Sequence, residues 1–430
     1  MTVTGRAALL ALLGVVPVAA APSGWTVVAW LAVVAAAVLL DVLLAGSPRA
    51  VVVHRDPLGA VRLGEPVQAA LVLSNTGRRT VRAVVRDAWQ PSAGATPDRH
   101  RVTLPAGERR RLVTVLRPTR RGDRLAAFVA LRSLGPLGVA GRQLSVPAPG
   151  RVRVLPPFTS RKHLPGALSR LRELDGRTSL RVRGQGTEFD SLRDYVDGDD
   201  VRSIDWRATA RRQAVVVRTW RPERDRRVLI VLDTGRTSAA RVGTAPRLDA
   251  AMDAALLLAA LASRAGDRVE LLAMDRRVRA RVQGASGSEL LPALVTAMAP
   301  LEPDLIEADW TAIAATVLQR LSHRTLVVLL TPLDAAAVEE GLLPVVERLT
   351  ARHLVVAASV GDPQVAAMAA GRGDAYAVYG AAAAERAALD RAAVTAELVR
   401  AGVEVVEGSP DDLPPRLVDR YLTLKAAGRL

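Results

Sequence analysis

The 430-residue chain contains no cysteine, which excludes disulfides, thiolate metal sites and cysteine nucleophiles. Lysine is nearly absent: Lys162 and Lys425 are the only two among 59 basic residues, and arginine supplies the rest. With abundant alanine and valine, this is the usage of a GC-rich genome more than a functional adaptation. Aromatic residues make up 3% of the chain. The five histidines, His54, His100, His163, His323 and His353, form no cluster, so histidine acid–base or zinc chemistry has little support. No G-x-G-x-x-G and no G-x-x-x-x-G-K-S/T stands at a strand–helix junction, so no phosphate-cradling loop is expected.

The net charge of +16 is unevenly spread. Residues 46–160 hold 20 arginines against 6 acids, a balance of +14, whereas residues 161–430 hold 38 basic against 36 acidic residues, only +2. The excess directly follows a hydrophobic N-terminus. Ala7 to Ala21 is an apolar run interrupted by Pro17, and Trp25 to Ala45 is a second, broken only by Asp41. A spanning helix needs about 20 apolar residues. Arg6 before the first run, with Arg49 and Arg55 after the second, favours a helical membrane hairpin over 1–46 with both ends cytoplasmic. The rival is a cleaved signal peptide ending near Ala19–Ala21, which Pro22 would hinder. In both cases the second run spans and the remainder is expected in the cytoplasm, at the cell membrane.

Residues 50–155 read as short alternating strands, such as VQAALVLSN, TVRAVVRDAW, RRRLVTVLRP and DRLAAFVALRS, separated by turns at SNTG, PAG and RRGD. The expectation is an antiparallel β-sandwich of immunoglobulin-like type. Its arginines lack interleaved aromatics for base stacking, so contact with an anionic inner leaflet, or plain solubility, is preferred to nucleic acid. From 227 onward, apolar strands (RVLIVLD, RVELLAM, TLVVLLT, HLVVAASV, VEVVE) alternate with helices, which indicates a mainly parallel α/β sheet. The adjacent strands at 268–283 add an antiparallel edge, so 227–430 fits a doubly wound, von Willebrand factor A-like domain. Such a domain holds a hard cation with Asp-x-Ser-x-Ser after its first strand. Here Asp233 is followed by Gly235 and Thr237, with Arg236 between, and Thr311 is a loose match for a further ligand. Mg²⁺ is therefore not expected, and Asp233, Thr237 and Thr311 remain weak candidates.

The connecting segment, 156–226, carries GTEFDSLRDYVDGDDVRSIDWRATARR at 186–212, with seven carboxylates and five arginines. The glycine of Asp197-Gly198-Asp199-Asp200 is misplaced for a calcium loop. With the calcium loop set aside, two readings compete for it: a carboxylate pair acting on an envelope or glycan substrate, and a structural clasp or docking surface. The close alternation of Asp and Arg suits fork-like ion pairs, and Trp and Arg often dominate protein interfaces. The segment is therefore read as clasp or docking surface, through Glu188, Arg193, Tyr195, Asp199, Asp200, Arg202, Asp205, Trp206 and Arg211, with no catalytic residue assigned.

Glu188-Phe189, Leu192-Arg193-Asp194-Tyr195, Gly198-Asp199-Asp200, Arg202, Ile204-Asp205-Trp206 and Ala210-Arg211, with RRG at 120–122, GPLG at 135–138 and the C-terminal YLTLK, resemble a widespread bacterial family, domain-of-unknown-function family 58. The resemblance covers nearly the full chain and the layout of hairpin, sandwich and A-like domain. It implies a non-enzymatic, chaperone-like or assembly role beside a MoxR-type AAA+ ATPase in a membrane or envelope complex. Metal-dependent adhesion is a further alternative.

Overall fold

The computed structural model describes residues 1–179, 188–197, 199–221 and 226–430, with the side chains of 175–179, 188–191 and 219–221 set aside. Two compact units divide the chain, Met1–Pro157 and Phe158–Leu430.

The first unit begins with β1 (Thr2–Val3), α1 (Gly5–Leu12), α2 (Val15–Ala20) and α3 (Gly24–Leu44). Among the described residues, only α3 is long and apolar enough to cross a membrane. At 21 residues it reaches roughly 30 Å, the thickness of a hydrocarbon core. The first apolar run, expected as a second spanning helix, divides at Leu13-Gly14 into two pieces of 8 and 6 residues. Trp30 of α3 explains the break. Its indole lies where a Cβ on Gly14 would stand, and its Nε1 donates to the Leu10 carbonyl at 3.1 Å.

Ten strands belong to this unit. β2 (Val51–Arg55), β4 (Val67–Asn75), β6 (Ala95–Thr96) and β8 (Arg109–Leu116) form one antiparallel sheet in the order β2-β4-β8-β6. β1, β5 (Val81–Trp89), β7 (Arg99–Leu104), β9 (Gly122–Leu134) and β10 (Ala140–Leu155) form the other in the order β1-β10-β9-β5-β7, with β3 (Val61–Arg62) parallel to β10. Consecutive strands β4 and β5 therefore lie in different sheets, joined by the SNTG turn. The alternation in β5 is strict: Val81, Ala83, Val85, Asp87 and Trp89 are buried. Residues of both sheets, Leu71 and Leu73 of β4 with Val85, Val129 and Leu131 of β5 and β9, share one apolar core. At its edge Arg55 grips the buried Asp87 at 2.6 and 3.1 Å, lies over the Trp89 ring, and Trp89 Nε1 donates to the same carboxylate.

The second unit opens with α4 (Leu164–Ser179), β11 (Glu188–Asp194), α5 (Trp206–Arg212) and β12 (Val216–Arg221). An α/β sheet follows, from β13 (Arg227–Asp233), β16 (Arg268–Met274), β17 (Val278–Val282), β18 (Leu326–Leu330), β19 (Leu354–Val360) and β20 (Glu404–Gly408). Its order is β17-β16-β13-β18-β19-β20, all parallel except the antiparallel edge strand β17. The small hairpin β14–β15 (Arg241–Val242, Ala245–Pro246) leads into α6 (Arg247–Arg264), and α7 (Gly287–Met298) and α8 (Trp310–Arg320) precede β18. The short α9 (Ala335–Ala337), a wide turn at 338–342 and α10 (Leu343–Thr350) lead to β19, followed by α11 (Pro363–Met368), α12 (Ala375–Arg400) and, after β20, α13 (Leu413–Ala426). β13, β18 and β19 are apolar on both faces because helices cover both, which is why their sequences do not alternate.

Candidate functional site

β11 and β12 pair antiparallel, and the acid-rich motif runs through β11 and the chain that leads to β12. Tyr195 N donates to the Val215 carbonyl and Asp205 N to that of Val216, so the pairing continues beyond the strands. Each carboxylate with a defined role then satisfies backbone donors. Asp199 accepts from Val196 N at 3.0 Å and from Arg193 Nη2 at 2.5 Å. Asp200 caps the turn Val201–Ser203 by accepting from Arg202 N at 2.9 Å. Asp205 is the N-cap of α5: its Oδ1 accepts from Arg207 N and Ala208 N, both at 3.0 Å, and its Oδ2 takes Arg218 Nε at 2.8 Å. An aspartate just before a helix meets donors that have no intrahelical partner, so the motif's spacing sets where α5 begins.

These contacts fix the charge state. Arg193, then the Val196 amide, hold Asp199 below the usual carboxylate range. The Ala208 amide, then Arg218, do the same for Asp205. Hydrolysis by a carboxylate pair needs one acid held protonated and the other ionised; here both shifts run downward. Trp206 is 68% exposed, and Val196 and Val201 of the same segment are exposed as well. Arg202 and Arg211 are exposed and Tyr195 is half-buried. The side chain of Glu188, Gly186-Thr187 and Gly198 lie outside the described residues.

A second group of polar residues gathers at the carboxyl ends of the parallel strands. Asp233 is buried and accepts from Gly235 N at 2.7 Å, Thr331 Oγ1 at 2.7 Å and Thr237 Oγ1 at 3.4 Å. Burial raises its pKa against those bonds. A Cβ on Gly235 would stand 3.0 Å from Asp233 Oδ1 and from the Ile306 carbonyl, so the backbone leaves a serine little room there. Thr311 stands exposed in the first turn of α8; the threonine that reaches Asp233 from elsewhere in the chain is Thr331, at the end of β18. Asp275 is also buried and accepts from Thr234 Oγ1, Arg276 N and Arg277 N. Among the described residues no three acids or histidines converge. As arranged, these oxygens tie strand ends to the loops that follow.

Sequence reasoning missed the structural role of three more acids. Asp253 of α6, its pKa raised by burial, accepts from Thr159 Oγ1 at 2.7 Å and Ser160 Oγ at 2.8 Å. Asp267 receives Lys425 Nζ at 3.0 Å and the Tyr421 hydroxyl at 2.5 Å, which gives the YLTLK motif its purpose. Asp41 of α3, the one break in the second apolar run, is buried against the GPLG turn. Its Oδ1 accepts from Leu137 N at 2.7 Å and its Oδ2 from Val139 N at 2.6 Å and Ala140 N at 3.0 Å.

Comparison with known proteins bears on the second unit most. A family described as "Protein of unknown function DUF58" matches residues 191–403, from inside β11 to the end of the parallel sheet's crossovers. Uncharacterised proteins of Mycobacterium tuberculosis (Rv1480) and Mycobacterium bovis (Mb1516) are each 27% identical over 190 residues, which is 43% of this chain. That match spans 57% of the relatives' own length. Among solved structures, a PapD-like domain of human CEP192 is similar over 25% of this chain and 89% of its own, at 12% identity and a TM-score of 0.18. Native E. coli alpha-2-macroglobulin is similar over 24% of this chain and 7% of its own, at 17% identity and a TM-score of 0.20. The match that coincides with the chemistry described above is the one to family DUF58, which takes in Asp199, Asp205, Trp206 and Asp233 together.

Proposed function

We propose that this chain is a membrane-anchored interaction protein whose β11–β12 hairpin, with α5, docks a protein partner. The observation that carries this reading is the division of roles inside the hairpin. Its acids turn to amides and arginines as caps and clasps, while Trp206, Val196 and Val201 face solvent among arginines. Exposed tryptophan beside arginine is the composition that dominates protein interfaces, and a capped scaffold presents it without a large ordering cost.

The family resemblance implies the partner, a MoxR-type AAA+ ATPase, and a role in maturation or assembly of a membrane or envelope complex. The lack of a phosphate-binding motif in this chain is consistent with the ATPase being a separate protein. In this reading the antiparallel sheets are an immunoglobulin-like sandwich and the parallel sheet a von Willebrand factor A-like domain. α3 spans the membrane and α1–α2 return beside it, with the soluble units cytoplasmic. Two contacts support the return: Thr2–Val3 pair with Ala140–Gly141, and α3 ends against the same β9–β10 hairpin, so both ends of 4–45 lie together.

Affinity capture of the tagged protein from its own membranes tests the docking role. Trp206→Ala and Arg211→Ala are the useful variants, since Asp205→Ala would remove the cap of α5 and disturb the surface indirectly. The expected result is recovery of the ATPase by the wild type and its loss in both variants, with unchanged melting. Equal recovery in both variants would exclude the hairpin as the docking element.

A further inference from the structure

Asp41 is the one acid of α3, and it lies three residues before the helix ends, about 4.5 Å inside it along the axis. The turn Gly135–Gly138 wraps it so closely that a Cβ on Gly135 would stand 2.3 Å from its Oδ1. A loop bonded to that carboxylate therefore sits at the depth of the helix's last turn. Thr4 Oγ1 donates to the Gly138 carbonyl at 2.7 Å, which brings β1 to the same level.

Two kinds of side chain surround that turn. Leu137 is 48% exposed and Val3 62%, with Leu43 and Leu44 exposed beside them. Three arginines from separate segments are tethered there by backbone carbonyls: Arg6 Nη1 to Leu137 at 3.4 Å, Arg79 Nη1 to Leu43 at 3.2 Å, and Arg142 Nε to Val42 at 2.9 Å. None of the described carboxylates pairs with these arginines. Each keeps further N–H donors in a planar fork that matches phosphate.

We propose that this ring is a lipid-binding collar. Leu137 and Val3 enter the boundary between headgroups and acyl chains, and Arg6, Arg79 and Arg142 hold the phosphates of anionic lipids. The inference rests on α3 being a membrane anchor. Continuity with that helix and the charge of the ring select a lipid leaflet as the occupant. Apolar side chains at the acyl boundary with arginine heads at the phosphates are the arrangement that amphipathic interfacial segments use. The buried Asp41 is then not an exposed charge in lipid, because three amides carried in by the turn satisfy it.

The cysteine-free chain allows single-site spin labels. Leu137→Cys, Val33→Cys in α3 and Val113→Cys on β8 are labelled in the full-length protein, reconstituted in vesicles of phosphatidylcholine and phosphatidylglycerol. Access of dissolved oxygen and of a water-soluble nickel chelate reports depth. The expected order is Val33 deep, Leu137 at the interface and shielded from nickel, and Val113 in water. Leu137 behaving like Val113 while Val33 is deep would overturn the collar and leave the anchor standing. Val33 in water would overturn both.

Spin-labelled lipids read the second half of the proposal. Preference for phosphatidylglycerol over phosphatidylcholine should drop in Arg6→Gln/Arg79→Gln/Arg142→Gln, by up to about fivefold per arginine, and survive in the corresponding triple lysine variant. Equal preference in the wild type and the glutamine variant would overturn phosphate binding. Loss in the lysine variant as well, with normal melting in both, would overturn the charge-based account.

Discussion

His353 has an unusual environment for a histidine. It is 4% exposed, precedes β19, and neither ring nitrogen has a hydrogen-bond partner. Burial, and then Arg352 next to it, lowers its pKa from 6.5. An imidazole that resists protonation in the fold but accepts it when unfolded makes acid destabilising. The contribution is intact above pH 6.5 and is lost as pH falls from that value toward the lower folded pKa. Thermal midpoints measured between about pH 7 and pH 5 should therefore fall in the wild type and fall less in His353→Leu. The variant should also be at least as stable near neutrality, because it removes two buried polar atoms without partners. Parallel pH profiles in the two proteins would show that His353 is not the group responsible. The carboxylates of the motif act in the same direction, but at lower pH. Asp199 and Asp205, held below 3.8, support the hairpin above that value and release it as pH drops further.

At the scale of elements, α13 shows how a few polar contacts position a helix. Lys425 and Tyr421 stand one turn apart on it and meet the same buried carboxylate, Asp267, at the start of β16. Lys425→Ala leaves that carboxylate without its cation, a change that costs about 3–5 kcal/mol when both groups are buried. The expected drop in melting temperature is roughly 6–15 °C for a unit of this size, read by circular dichroism on the full chain. Asp267→Asn with Lys425→Met should recover much of it; a loss in the double variant as large as in the single one would mean that packing, not the ion pair, holds α13. How far sequence foretells such elements depends on what each one buries. β13, β18 and β19 are legible because burial on both faces gives uninterrupted apolar runs. The helical stretch between β18 and β19 is divided by a wide turn at 338–342, where Gly341 lies against the Trp310 indole, a contact made 31 positions away in sequence. The N-terminal half of α12 offers little apolar face to read in the sequence, because Tyr376 and Tyr379 are exposed. The acid-rich motif was visible as a cluster, yet which acid caps and which one clasps depends on the β11–β12 register. The Asp41 site was hidden for the same reason: its donors are 96 to 99 residues away.

For the whole molecule, the decisive question is the path of residues 4–45. The length of α3 suffices for one crossing. If α3 crosses, the chain must also return, because β1 and the end of α3 both join the β9–β10 hairpin. α1 and α2 together cover Gly5–Ala20, which as a helix reaches only about 24 Å, short of the hydrocarbon thickness and further shortened in effect by the break at Gly14. A segment that brief can cross only if its ends draw the interface toward them or if it leans on a full-length neighbour. Trp30 bonded to the Leu10 carbonyl provides such a neighbour. The absence of native thiols makes the path measurable. Ala20→Cys, exposed beside the turn into α3, and Ser92→Cys, in the sandwich, are each treated with a membrane-impermeant maleimide in intact cells and after lysis. The hairpin requires Ala20→Cys to react in intact cells and Ser92→Cys only after lysis. Reaction of both sites only after lysis would place the first apolar segment on the cytoplasmic side. The connection between α2 and α3 would then have to stay with the sandwich, which the length of α3 forbids if that helix crosses. That outcome would therefore remove the spanning role of α3 as well.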